Sequence, residues 1–186
     1  NILLAGSTNS SNFPVSNGFQ NTFGGSQDAV IIKLNPDANT ITWSTYLGGI
    51  GFDAAFGIAV NAGNGIIYIA GGTTTSVLFP GIDQSALQQS YGGSTDGFIT
   101  RLHDNGSNVS MFNSTYLGTS GVDIVYGIKL DQSGSVYVTG TSTGFWPVLN
   151  AVYSAGNARQ FIAKLFPNCS GFVYTTTFGT PGAASP

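Results

Sequence analysis

The chain's main stock of chemistry is its eight acidic residues, all of them aspartate. Two of them hold one repeated position, each just ahead of a strand-like run: Asp53-Ala54-Ala55-Phe56-Gly57-Ile58 and Asp123-Ile124-Val125-Tyr126-Gly127-Ile128. Paired carboxylates could exchange protons with a substrate or hold a cation. They could equally accept hydrogen bonds from turn amides. A catalytic pair needs two unlike environments, whereas a structural demand recurs with the repeat, so recurrence favours the turn role. Asp28 and Asp96 form a second such pair. A calcium site needs several converging oxygens, and no spacing here matches the EF-hand loop. No cofactor is expected; calcium is an ion these acids could take, but no motif supports it.

His103 is the single histidine and follows Leu102 ahead of Asp104. One histidine cannot build a multi-histidine metal centre, and no G-x-S-x-G elbow supplies a nucleophile for a triad. It reads as a solvated turn residue. Cys169, the single cysteine, cannot form an intrachain disulfide, and Asn168-Cys169-Ser170 offers no basic neighbour to activate the thiol. It reads as an unreactive loop or packing residue. The doublets Gly24-Gly25, Gly48-Gly49 and Gly92-Gly93 lack the lysine and helix of a phosphate loop and read as turns. No catalytic residue is expected.

The elements that must position these residues follow from composition. Of 186 residues, 41% are hydrophobic and 7% charged, with a net charge of −3. That balance supports a core and lacks the positive field that nucleic-acid binding requires. Membrane insertion is also not expected, because no apolar run approaches the roughly 18 residues of a spanning helix. The absence of Glu and the 27 glycines disfavour helix and favour strands joined by turns. The fold class is therefore all-β.

A repeat organises the chain. Leu4-Ala5-Gly6, Ile69-Ala70-Gly71 and Val138-Thr139-Gly140 recur, followed in order by Phe13-Pro14, Phe79-Pro80 and Trp146-Pro147. Asp28-Ala29-Val30-Ile31-Ile32-Lys33-Leu34 then matches Asp96-Gly97-Phe98-Ile99-Thr100-Arg101-Leu102 and, more loosely, Arg159-Gln160-Phe161-Ile162-Ala163-Lys164-Leu165. The best-preserved copy predicts four strands, Phe56 to Val60, Ile66 to Gly72, Phe98 to Leu102 and Met111 to Leu117. Asn64-Gly65 and Asn105-Gly106 are expected to make tight hairpins with positive φ at both residues. The second strands are apolar on both faces, as a sheet between two other sheets requires. Repeated four-stranded units of this kind predict β-propeller blades. A parallel β-helix, the competing repeat architecture, would not need the hairpins. The copies divide the chain into a partial blade 1–52, a blade 53–122 and a blade 123–186, about two and three-quarter blades. A closed ring needs at least about four. The partners expected from this count are the remaining blades of the same chain or neighbouring subunits that complete the ring.

The run Trp43-Ser44-Thr45-Tyr46-Leu47-Gly48-Gly49, then Asp53 to Val60, Ile67-Tyr68-Ile69-Ala70-Gly71, Phe79-Pro80, Tyr91-Gly92-Gly93 and the strand from Asp96 resembles the SBBP-type β-propeller repeat family. The resemblance implies secreted or surface-exposed proteins, chiefly bacterial, with such repeats beside adhesion or secretion-sorting modules. It implies no single activity. The third copy departs from the pattern, with Ala184 where Asp53 and Asp123 stand and Arg159-Gln160 at the start of its third strand.

The long connections between second and third strands are expected on one end of the ring, bringing Phe13, Phe79 and Trp146 near Asp53 and Asp123. Aromatics among polar groups suit contact with other proteins or surface glycans; alternatively, Phe-Pro and Trp-Pro fold back to fill the gap between loop and blade. Two functions remain open. One is a non-catalytic extracellular or cell-surface module for protein or surface binding, or a structural part of a surface assembly. The other is a carbohydrate-binding or carbohydrate-cleaving propeller using these five residues.

Overall fold

A computed structural model describes residues 1–179. Its elements are eleven strands in three antiparallel sheets, with no helix among the described residues. The first sheet contains β1 (Ile2–Thr8), β2 (Asp28–Leu34) and β3 (Ile41–Leu47). The second contains β4 (Asp53–Asn61), β5 (Ile66–Thr73), β6 (Asp96–Asp104) and β7 (Val109–Leu117). The third contains β8 (Asp123–Leu130), β9 (Val136–Ser142), β10 (Gln160–Leu165) and β11 (Phe172–Phe178). Within each sheet the strands are neighbours in chain order, the meander of a propeller blade. The three sheets do not close into a ring among the described residues. Ala184, where the third copy departs from the pattern, lies outside them.

Side-chain alternation along β5 explains how the middle sheet serves two cores. Ile67 and Ile69 pack toward the first sheet with Ala29, Ile31 and Trp43, while Tyr68 and Ala70 pack toward the third with Val125, Val136 and Phe161. Successive residues of a strand face opposite ways, so a strand buried on both sides must be apolar throughout. All four of these β5 residues are buried.

The strands run longer than the apolar pattern suggests, because polar ends also pair. Asp53 and Asp123 are not ahead of the first strands but are their first residues, opposite Thr73 and Ser142. The hairpins also differ from the expected two-residue turns. Four residues, Ala62 to Gly65 and Asn105 to Asn108, separate the paired ends, and only Gly65 (φ 71°) and Gly106 (φ 89°) are left-handed. The glycine was the informative residue; each asparagine keeps ordinary φ because a wider loop has already reversed the chain.

A bulge recurs in β4 and β8. Register shifts between Ala55 and Gly57 and between Val125 and Gly127 leave Phe56 and Tyr126 as the extra residues. Their rings lie 5.6 Å apart and half exposed, joining the two innermost strands. Adjacent sheets are also stitched through backbone: Asp53 N–H donates to Gln27 O and Asp123 N–H to Thr95 O, both at 2.8 Å.

Candidate functional site

Four aspartates gather at the two junctions between sheets, and all four are fully buried. Asp53 Oδ2 accepts from Gly49 N–H at 2.8 Å and from the Thr75 hydroxyl at 2.9 Å, while the Thr73 hydroxyl donates to Oδ1. Asp123 Oδ2 accepts from the N–H and hydroxyl of Thr119 at 2.6 and 2.8 Å. Asp28 Oδ2 accepts from Gly24 N–H at 2.8 Å and Gln20 Nε2 at 3.2 Å. Asp96 repeats that arrangement with Gly92 N–H at 2.8 Å and Gln88 Nε2 at 3.1 Å.

Burial pushes the Asp28, Asp53 and Asp96 carboxyls above the ordinary range, against the pull of these donors. Neighbouring negative charge adds to the rise, from Asp53 on Asp28 and from Asp123 on Asp96. Apart from Thr73, the last residue of β5, the donors are N–H and O–H groups of the connections, so each carboxylate fastens a connection to its blade. This places Asp53 and Asp123 inside the junctions, out of contact with solvent.

Each of the three aromatics lies on the long connection of its own sheet and packs against that sheet. Phe79 packs on Phe98 and Tyr116 at centroid distances of 4.9 and 5.9 Å, and the Tyr116 hydroxyl donates to Thr75 O at 2.9 Å. Burial lifts that phenol to about 12. Trp146 stacks on Phe161 at 3.5 Å, and its Nε1–H donates to Thr175 Oγ1 at 2.7 Å. Phe13, half-buried, packs on Tyr46 at 5.5 Å, and its N–H donates to the Tyr46 hydroxyl at 3.1 Å. Each of Phe79 and Trp146 is buried and fills the space between its loop and its blade, and Trp146 also lines a cleft beside Phe145.

The exposed apolar groups on these connections stand one residue earlier. Leu78 is 82% exposed and Phe145 is 92% exposed, each directly preceding the buried aromatic. Anchoring Phe79 and Trp146 inward leaves the preceding side chains, Leu78 and Phe145, in water. Leu78 has φ 63°, a region costly for a non-glycine residue. Val77, Val148, Val152 and Tyr153 on the same connections are exposed too. Among these, Leu78 and Phe145 immediately precede a Phe-Pro or Trp-Pro pair and Val148 immediately follows one, the one mark the sequence carries of their exposure.

A cleft of about 620 Å³ beside Phe145 is lined by Ser142, Asn157, Ala158 and Arg159. In the first two sheets the corresponding ground is occupied: Ser26 and Ser94 N–H donate to Gly51 O and Gly121 O on the segments that lead to the next sheet. His103 Nδ1 lies 2.6 Å from Asn105 Oδ1 at the β6 end, and Cys169 is buried, its thiol pushed up to about 12 by desolvation.

Compared with known families, residues 113–145, from within β7 to just beyond β9, match the family model of the SBBP beta-propeller repeat. No curated protein matches the chain.

Proposed function

We propose that this chain, an all-β array of propeller blades carrying the SBBP beta-propeller repeat, works as a non-catalytic extracellular or cell-surface module. Its loop end binds a protein partner or builds a surface assembly. The observation that carries the reading is the exposure of Leu78 and Phe145 at one repeated position. Large apolar side chains held in water beside polar neighbours are the ordinary material of protein contact surfaces. The strained backbone at Leu78 fits a side chain kept outward for use. The buried carboxylates also fit, because the hydrogen bonds they accept fasten turns to blades, with Asp28 Oδ1 and Asp123 Oδ1 left without a partner among the described residues.

The test is retention of the purified protein on intact cells of its source, comparing wild type with Leu78→Ser/Phe145→Ser. The double variant keeps its melting temperature and loses retention. Equal retention overturns the reading, and saturable binding to a glycan array that survives the double substitution favours the carbohydrate alternative.

A further inference from the structure

The junction between the second and third sheets is packed differently from the one before it. Gln20 and Gln88 hold equivalent places, since each donates from Nε2 to Asp28 or Asp96 and accepts the N–H of Gly48 or Gly118 at Oε1. The residue before each of them is Phe19 at the first junction and Leu87 at the second. Phe19 packs, together with Met111, against the core that contains Leu47 and Phe79. Leu87 packs, together with Phe172, against the core that contains Leu117 and Trp146. Phe172 is the counterpart of Met111, for it pairs with Leu165 as Met111 pairs with Leu102. The second junction thus has an isobutyl group in the place of a ring, and larger rings at two facing positions.

A cavity of about 250 Å³ lies at that place. Leu87, Leu117, Trp146, Pro147 and Phe172 supply apolar walls, and Gln88 adds an amide. Both ends of that amide are engaged: Nε2 donates to Ser90 O and to Asp96, and Oε1 accepts from Gly118 N–H. Trp146 Nε1–H is likewise spent on Thr175 Oγ1. Among the described residues no charged side chain lines the cavity. Its two aromatic walls stand edge to face, Trp146 and Phe172 with ring centroids 6.5 Å apart.

We propose that this cavity is a binding site for a small, uncharged, single-ring aromatic molecule. A charged or strongly polar guest loses its water there and finds no free side-chain donor or acceptor, whereas a ring pairs with ring faces and edges. An apolar cavity of about 150 Å³ already holds a guest the size of benzene. The equivalent position of the first junction carries a ring of the chain's own, Phe19, packed against the same kind of core. The site is separate from the contact surface proposed above, because neither Leu78 nor Phe145 lines it.

The experiment titrates the 186-residue chain into fluorobenzene and follows the probe by fluorine NMR. The resonance shifts and broadens to saturation, and intermolecular NOEs connect the probe to the methyl groups of Leu87 and Leu117. Leu87→Trp puts a ring of the chain's own into the space and abolishes saturation. Leu87→Phe, which installs the residue found at position 19, serves as the milder block if the larger ring impairs folding. Leu78→Ser/Phe145→Ser binds the probe as wild type does. The proposal is overturned by a response that stays linear up to the solubility limit of fluorobenzene, by undiminished binding to a folded Leu87 variant, by loss of binding in the Leu78/Phe145 variant, or by NOEs confined to other methyl groups.

Discussion

Lys33 of the first sheet and Asp104 of the second form an ion pair across the junction, Nζ to Oδ2 2.6 Å, with side chains 7% and 20% exposed. Trp43 Nε1–H donates to Asp104 Oδ1 at 3.0 Å and Lys33 also donates to Gly106 O at 3.0 Å, so one turn of the second blade is gripped from three directions. Burial would raise the Asp104 carboxyl, but the bonds from Lys33, Trp43 and the Gly106 amide outweigh it and hold the group below its ordinary range. The same strand position recurs as Arg101 and Lys164. Arg101 reaches Asn168 O of the third sheet at 3.5 Å, whereas Lys164 pairs with Asp131 of its own blade at 3.0 Å.

Lys33→Met strands a partly buried carboxylate. It should lower stability by about 2 kcal/mol, between the values of exposed and fully buried pairs. Lys33→Met/Asp104→Asn should recover part of that loss. Urea unfolding of the two single variants and the double variant measures the coupling; strictly additive losses would refute a direct pair.

Gly48 sits between two carboxylates. A Cβ there would lie 2.7 Å from both Asp28 Oδ1 and Asp53 Oδ2. Gly48→Ala should therefore destabilise by about 1–3 kcal/mol, the usual cost of overpacking. Gly106→Ala is the comparison: its Cβ meets nothing within 4 Å, so its cost comes from the left-handed backbone alone.

Acidity should stabilise these junctions down to the range where carboxylates ordinarily titrate. Asp28, Asp53 and Asp96 have folded-state pKa values raised above 3.8. Their stabilising contribution is full below the unfolded value and is lost as pH climbs through the raised folded values. Asp104, Asp83 and Asp131 act oppositely, losing their contributions as pH falls through their depressed values. The urea midpoint should thus fall between pH 3.8 and neutrality, less steeply in Asp28→Asn. A midpoint rising over that interval in wild type would contradict the assignment.

The two residues of the Phe145-Trp146 step should behave oppositely. Trp146→Ala empties the space between loop and β10 and should cost about 3–5 kcal/mol. Phe145→Ser should change stability by no more than about 0.5 kcal/mol. Thermal melts of both variants decide it, and a large loss in the second would place Phe145 in the core.

Cys169 should resist thiol reagents until the protein unfolds, since burial both hides the sulfur and raises its pKa to about 12. Its rate of modification with increasing urea should track unfolding followed by tryptophan fluorescence. Rapid modification of the native protein would contradict this packing.

Much of the fold was legible locally. Alternation and the continuous apolar run at Ile67 to Ala70 identified strands and a sheet buried on both faces, and Gly65 and Gly106 marked reversals because they tolerate positive φ. Recurrence of Asp53 and Asp123 pointed to hydrogen bonding by turn amides, and Gly49 and Thr119 N–H supply it. The aromatic positions were found, and of the two directions the sequence left open for Phe79 and Trp146, the fold-back against the blade is the one seen.

What the sequence determined by itself was the order of strands and the repeat, because backbone preference and period-two patterning act between near neighbours. The tertiary structure decided which member of each adjacent pair, Leu78 or Phe79, Phe145 or Trp146, meets water, since that depends on β6, β7 and β10 arriving from elsewhere to cover one of them. It also decided that Lys33 meets Asp104, 71 residues away. Close approach between distant segments follows from how sheets stack, and no spacing along one strand encodes it.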